Sequence, residues 1–229
     1  MNPQATALAL AAAWWGPGAA AHCPPLARAL ALPLWLETSD PVVALTFDDG
    51  PHPEGTPAVL EALADAGARA TFFLVGEQVE RCRPLVGEIV AAGHEPAVHG
   101  YRHRNQMRLS PGELARDLRR AVATIEDAAG RAPRLYRPPY GAFTAGGIAL
   151  VRRTSLQPLL WSKWGRDWRR DAAPEEIARL ATRDLRAGDV VLLHDGDSYS
   201  PPGSHRRTAQ ALPAILAAAA ERGLRAVSV

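Results

Sequence analysis

Two aspartates stand side by side in LTFDDGPHP, residues 45–53, where an apolar strand gives way to Gly50-Pro51. Adjacent carboxylates repel, and at the mouth of a core strand they cost stability. Asp48 and Asp49 should therefore hold something positive, or do acid–base work. Farther on, HGYRH places His99 and His103 at i and i+4. On a helix or tight turn that spacing puts both imidazoles on one face, as two ligands of one metal require. Zinc would sit about 2.0–2.1 Å from each ring nitrogen, with a carboxylate as third ligand and water as fourth. If Asp49 binds the cation, Asp48 lies beside it and can accept a proton from the activated water. Asp-Asp-Gly-Pro is also good turn chemistry, and an isolated pair of loop histidines is usually only exposed. The turn reading leaves the histidines unexplained.

Three further stretches carry chemistry. LLHD places His194 at a strand end, where an imidazole is able to protonate a leaving group at physiological pH. In YRPPYG, Pro138 and Pro139 stiffen a loop that Gly141 lets turn sharply. Arg137 there can pair with a rim carboxylate such as Asp48, and a backbone N–H near Tyr140 can face a developing oxyanion. WSKWGRDW holds three tryptophans in eight residues. Rim aromatics suit sugar stacking, though Trp161 and Trp164 suit packing equally. Asp167 can orient and charge His194. DGDS (195–198) resembles the start of a calcium loop, lacks the later ligands, and reads as a loop.

The elements that must position these groups alternate from residue 42 onward. Apolar runs at 42–47, 69–76, 95–98, 134–136, 157–161, 189–194 and 224–229 predict strands. Helices are expected at 56–67, with Thr56 as N-cap, and at 77–93 as one piece or two. Others are expected at 110–130, with a Ser110–Glu113 capping box, and at 144–153, 174–188 and 206–222. Repeated β-then-α units predict a parallel sheet or barrel with helices outside. In such folds active groups gather where strands end, and every cluster above falls at a strand's C-terminal end.

The 229 residues suffice for one good-sized domain. A net charge of +2 and arginines spread through the chain argue against nucleic-acid binding; Lys163 is the only lysine. Cys23 and Cys82 lack zinc-ribbon spacing and read as ordinary thiols. Residues 1–40 form an apolar, Pro-rich lead-in, with a catalytic domain expected over 41–229. TALALAAAWW is too short to span a bilayer. It fits a signal-peptide core or a helix packed on the domain, but no basic residue precedes Arg28. Export or envelope association is an open expectation.

In this order TFDDGP, HGYRH, RPPYG, GRDW and VVLLH resemble the polysaccharide deacetylases of the NodB-homology, carbohydrate esterase family 4 type. The resemblance runs from about residue 42 to the C-terminus. It implies a distorted (β/α)7-type barrel with a parallel-strand core and outer helices. It implies a divalent metal, zinc foremost, with cobalt or nickel as alternatives, held by Asp49, His99 and His103. Asp48 would be general base and His194 general acid, tuned by Arg137 and Asp167 respectively. Pro139, Tyr140, Trp168 and Leu192 would meet the substrate. The implied reaction is hydrolysis of an N-acetyl amide, or an O-acetyl ester, on an amino-sugar or polysaccharide. Deacylation or deformylation of a small or lipid-linked aminosugar is the alternative, and a non-catalytic sugar binder a third. Gly100 departs from the family's usual Ser or Thr after the first metal histidine, which predicts a looser loop or a shifted metal affinity with both ligands kept. GRDW is a compact version of its motif.

Overall fold

Seven consecutive residues, Val42–Asp48, form strand β1, and all seven are buried. A strand covered on both faces needs an unbroken apolar run rather than an alternating one, and VVALTF supplies it. The computed structural model describes residues 12–229 together with Thr6 and Ala9. Of the apolar stretch 6–15, residues 7, 8, 10 and 11 lie outside the described set, and 12–15 are helical.

β1 is the hub of the sheet. It pairs in parallel with β2 (Thr71–Leu74), β7 (Val190–His194) and β8 (Arg225–Val227). β3 (Glu95–Val98), β4 (Leu135–Tyr136), β5 (Gln157–Pro158) and β6 (Lys163–Trp164) complete the order β5-β4-β3-β2-β1-β7-β6, with β8 attached beside β1. Every pairing between these strands is parallel, so their C-terminal ends share one rim.

Of the strand expected over 157–161 only Gln157–Pro158 pairs, as β5; β6 follows at Lys163–Trp164, at the opposite end of that order. Residues 159–162 alone join them, and a chain that short spans at most about 18 Å. The sheet must therefore curl until its ends approach, giving the curled half-barrel of parallel strands with helices around it. The lead-in packs along this seam. Leu160 N–H donates to the Pro33 carbonyl at 2.9 Å, and Leu36 N–H to that of Gly188 at 2.8 Å. Ala20, Ala27, Leu32 and Leu34 join the core.

The helices follow their capping signals, with two exceptions. Ser110 and Glu113 make the reciprocal capping box of helix Pro111–Ala129, and Gly130 ends it at φ 69°. Thr56, however, is not an N-cap: the helix runs Gly55–Asp65 from Glu54. The Thr56 hydroxyl accepts the His52 N–H at 2.7 Å and donates to the buried Asp195 carboxylate. The helix expected over 174–188 stops at Ala181, where the Thr182 hydroxyl donates to the Ala178 carbonyl at 2.8 Å. Among the described residues no helix is long and apolar enough to cross a membrane, and Cys23 and Cys82 are free thiols.

One side chain crosses the barrel interior. Arg137, just beyond β4, is fully buried. Its Nε donates to the Leu159 carbonyl at 3.0 Å, and its Nη2 to that of Leu160 at 2.8 Å. Its Nη1 reaches β1, at 2.9 Å from Thr46 Oγ1 and 2.6 Å from Asp48 Oδ1. The Phe73 ring lies 4.0 Å from the guanidinium carbon. Arg137 thereby links the hub strand to the seam. Removing one partner of a buried pair strands the other's charge, at a cost of about 3–5 kcal/mol. Arg137→Met is expected to lose that much stability in urea unfolding. A loss below about 1 kcal/mol would show that the seam holds without it.

Candidate active site

Register decides which side chains meet. Asp48 pairs across β1 with Phe73 on one side and with His194 on the other. His99 follows β3 directly, and Val98 pairs with Tyr136, next to Arg137. Carboxylates and imidazoles far apart in sequence thus arrive together at the strand ends.

Asp49 takes the step out of β1 at φ 78°, a left-handed conformation uncommon for a residue with a side chain. Its Oδ1 lies 3.5 Å from His99 Nε2 and 3.2 Å from His103 Nε2. That oxygen is buried without a hydrogen-bond partner. Burial pushes the Asp49 carboxyl up, but His103, His194 and His99 outweigh it and hold its pKa at about 2. His99 Nδ1 faces the Arg137 carbonyl at 2.8 Å, so it carries the proton and Nε2 keeps its lone pair. Burial, only partly offset by Asp48, lowers the His99 pKa to about 4, which keeps the ring neutral. Two nitrogens and a carboxylate oxygen within 4.8 Å of one another, one of them a partnerless buried anion, fit a divalent cation.

Two proton carriers flank this triad. Asp48 Oδ1 is bound to Arg137, while Oδ2 lies 3.6 Å from His99 Nε2. His194 Nδ1 lies 2.9 Å from Asp167 Oδ1, and its backbone N–H donates to Asp167 Oδ2 at 2.7 Å. The Thr208 hydroxyl donates to the same Oδ2 at 2.8 Å. Burial alone would lower the His194 pKa, but Asp167, then Asp49 and Asp48, raise it to about 10. The ring is therefore protonated at neutral pH. Trp168 packs edge-on against it, centroids 5.3 Å apart.

A cavity of ≈ 440 Å³ opens over these groups. Tyr140, Trp168 and Leu192, expected at the substrate, line it together with Trp161 and Trp164. Pro139 does not: it is buried behind the wall, its ring 3.7 Å from where a Cβ on Gly100 would sit. Arg137 and Asp167 also lie behind the wall, fully buried, each bonded to a group that lines the cavity, Asp48 and His194 respectively. The loop at Gly100 is not loose. Asp117 accepts the Tyr101 N–H at 2.8 Å and pairs with Arg104 at 3.1 Å. Gly100 sits at φ 86°, and a Cβ there would come within 3.2 Å of that same carboxylate. A helix-borne carboxylate replaces a local hydroxyl.

Several participants carried no sequence signal. Tyr199 stacks on His103, rings 4.3 Å apart and 14° from parallel, with its hydroxyl donating to Glu77 at 2.7 Å. Asp195 fills the space where a side chain on Gly50 would sit, which is why glycine follows the aspartates. Burial, eased by Thr56, raises the Asp195 pKa to about 7. His22, from the lead-in, lines the cavity. In DGDSYSPPG (195–203) only the turn residues were legible; which of its side chains turn inward depends on what the loop packs against.

A second cluster, His52, Asp197 and His205, has ligand atoms within 4.8 Å as well. Here the chemistry differs. His52 Nδ1 accepts the Gly55 N–H at 3.0 Å, so its proton is on Nε2, 3.2 Å from Asp197 Oδ1. A metal would need that lone pair. His205 Nδ1 lies 3.0 Å from Asp197 Oδ2, which also accepts the Gly203 N–H at 2.7 Å. The cluster clasps the loop bearing Tyr199 to the loop after β1.

Comparison with known proteins places the chain among relatives. Residues 36–159 match the family model described as polysaccharide deacetylase. A chitooligosaccharide deacetylase from a Bradyrhizobium strain is 37% identical over 191 residues, covering 79% of this chain and 85% of that protein. A peptidoglycan-N-acetylglucosamine deacetylase from Bacillus cereus is 34% identical, covering 83% and 87%. A family 4 carbohydrate esterase from Streptomyces lividans, solved with acetate, superposes with TM-score 0.73 at 32% identity, covering 82% and 93%.

Removing the charge on Asp167 should release His194 from its raised pKa. In Asp167→Asn the His194 midpoint, followed by NMR of the imidazole, is expected to fall by at least about one unit. The ring would then lose its proton at lower pH than in the wild type. An unmoved midpoint would assign the charge stabilisation elsewhere.

Proposed function

The chain belongs to the polysaccharide deacetylase family and is a hydrolase; within that family we propose that it removes N-acetyl groups from N-acetylglucosamine units of an oligosaccharide. The observation that carries this reading is the pairing of two opposite proton carriers beside one ligand triad. Asp48 is anchored through Oδ1 and turns Oδ2 toward the triad, and Asp167 holds His194 in its charged form. A protein that only bound sugar would need neither.

Asp49, His99 and His103 would hold the divalent cation, zinc fitting the nitrogen-rich donor set best. When bound, it supplies Lewis-acid polarisation of the acetyl carbonyl and a more acidic water. Asp48 takes the proton from the attacking water, and the oxygen bonds to the carbonyl carbon. Arg137 keeps Asp48 oriented through Oδ1 and leaves Oδ2 for the proton. The peptide N–H at Tyr140, in a left-handed turn at φ 63°, is offered to the oxygen that gains charge. His194 gives its proton to the sugar nitrogen as the carbon–nitrogen bond breaks, releasing acetate and a free amine. Leu192 and Trp168 shape an apolar slot for the acetyl methyl, and Trp161 and Trp164 give the sugar ring flat faces.

The names of the two relatives, a chitooligosaccharide deacetylase and a peptidoglycan-N-acetylglucosamine deacetylase, support an N-acetylglucosamine substrate. Purified protein, stripped by chelation and restored with zinc, cobalt or nickel, is expected to release acetate from N-acetylglucosamine oligomers only after metal is returned. Acetylated xylan tests ester against amide. Asp48→Asn and His194→Ala should each lower kcat by at least about 100-fold while metal content is retained. Full turnover by either variant would overturn its assigned role.

A further inference from the structure

One cavity-lining side chain comes from ahead of the family match, which begins at residue 36. His22 ends the 3-10 helix Gly16–His22. Its ring sits 5.4 Å from that of Trp164, tilted by 46°. It is exposed, and among the described residues its ring nitrogens have no hydrogen-bond partner. The segment that presents it is nevertheless firmly seated. Ala20 and Ala21 are buried. Ala21 Cβ and the Trp161 ring together close the space above Gly141, in the loop bearing Tyr140. A Cβ on Gly18 would sit 3.1 Å from the Met107 sulfur and 3.6 Å from the Phe143 carbonyl, so the segment packs onto both. The Cys23 N–H donates back to the Ala20 carbonyl at 3.2 Å.

A polar ring held over a wall of tryptophans has a specific use. Aromatic faces bind a sugar ring but leave it free to slide, and a few placed polar groups fix its register. We propose that His22 is a substrate-positioning residue, hydrogen-bonding a hydroxyl or amide of the saccharide whose ring rests on Trp164. This inference rests on the deacetylase reading above for its substrate class. His22 touches none of the reacting groups, so its contribution is to binding common to ground and transition states. Its loss then raises KM and leaves kcat alone.

The test compares His22→Phe, which keeps a ring against Trp164 but cannot hydrogen-bond, with His22→Gln, which hydrogen-bonds without a ring. Zinc-loaded proteins would be assayed on the N-acetylglucosamine tetramer and on 4-nitrophenyl acetate, which has no saccharide for His22 to hold. His22→Phe is expected to raise KM for the tetramer about 3- to 10-fold, with kcat within about twofold and the small ester unaffected. His22→Gln should stay within about twofold of wild type. An unchanged KM in His22→Phe, or equal losses in both variants, would overturn the proposal, the latter because it marks a packing role. If the wild type releases no acetate, the deacetylase reading fails separately, and calorimetric affinity for the tetramer replaces KM. Weaker binding by His22→Phe alone then supports the proposal, and equal binding or none in the wild type overturns it.

Discussion

A buried guanidinium sets the terms for this molecule. Arg137 has no water to solvate it, so each donor must find an acceptor inside the protein. Its partners are two carbonyls at the seam and a hydroxyl and carboxylate on the hub strand. Meeting all four places β1, β4 and the β5–β6 connection at fixed mutual distances. Such a pair adds little net stability over an apolar replacement, but it penalises any arrangement that leaves it half made. The carboxylate it binds is Asp48, so the constraint that shapes the barrel also orients the site. Thr46 extends the link, accepting from Arg137 while donating to the Val191 carbonyl on β7 at 2.7 Å.

Strain gathers at the same rim. Asp49, Tyr140 and Arg166 all have positive φ, and each adjoins or belongs to the catalytic constellation. Left-handed backbone at residues with side chains costs energy that the surroundings must offset. Around Asp49 the offset is visible as packing. The Asp195 carboxylate fills the space over Gly50, and its backbone carbonyl does the same at Gly55. Neither glycine could gain a side chain without displacing Asp195. The short TFDDGP stretch is held by a residue almost 150 positions away.

Two remote segments complete the cavity. The His52–Asp197–His205 clasp holds the loop that lays Tyr199 on His103, and the lead-in seats His22 beside Trp164. Both clusters contain histidines, yet only one suits a cation. The difference lies in the other ring nitrogen: His99 Nδ1 meets a carbonyl and must be protonated, whereas His52 Nδ1 meets an N–H and cannot be.

Some of this was legible from the chain alone. Buried parallel strands announce themselves as continuous apolar runs, as in VVALTF and DVVLLH, because burial on both faces leaves no polar alternation. Paired carboxylates and an i, i+4 histidine pair signal ligation because like charges and imidazoles at that spacing need a shared partner. Ser110 and Glu113 mark a helix start because the capping bonds are local. What stayed hidden depends on contacts between distant segments. Thr56 reads as a cap, and only the fold commits its hydroxyl to Asp195. Residues 157–161 read as one strand, and only sheet closure ends it at Pro158 and begins another at Lys163. Tyr199, Asp195 and His22 lie in stretches with no period or spacing, so their roles follow from what packs beside them. Local hydrogen-bonding and burial patterns are written in sequence; the pairing of side chains across a curled sheet is decided by register and packing.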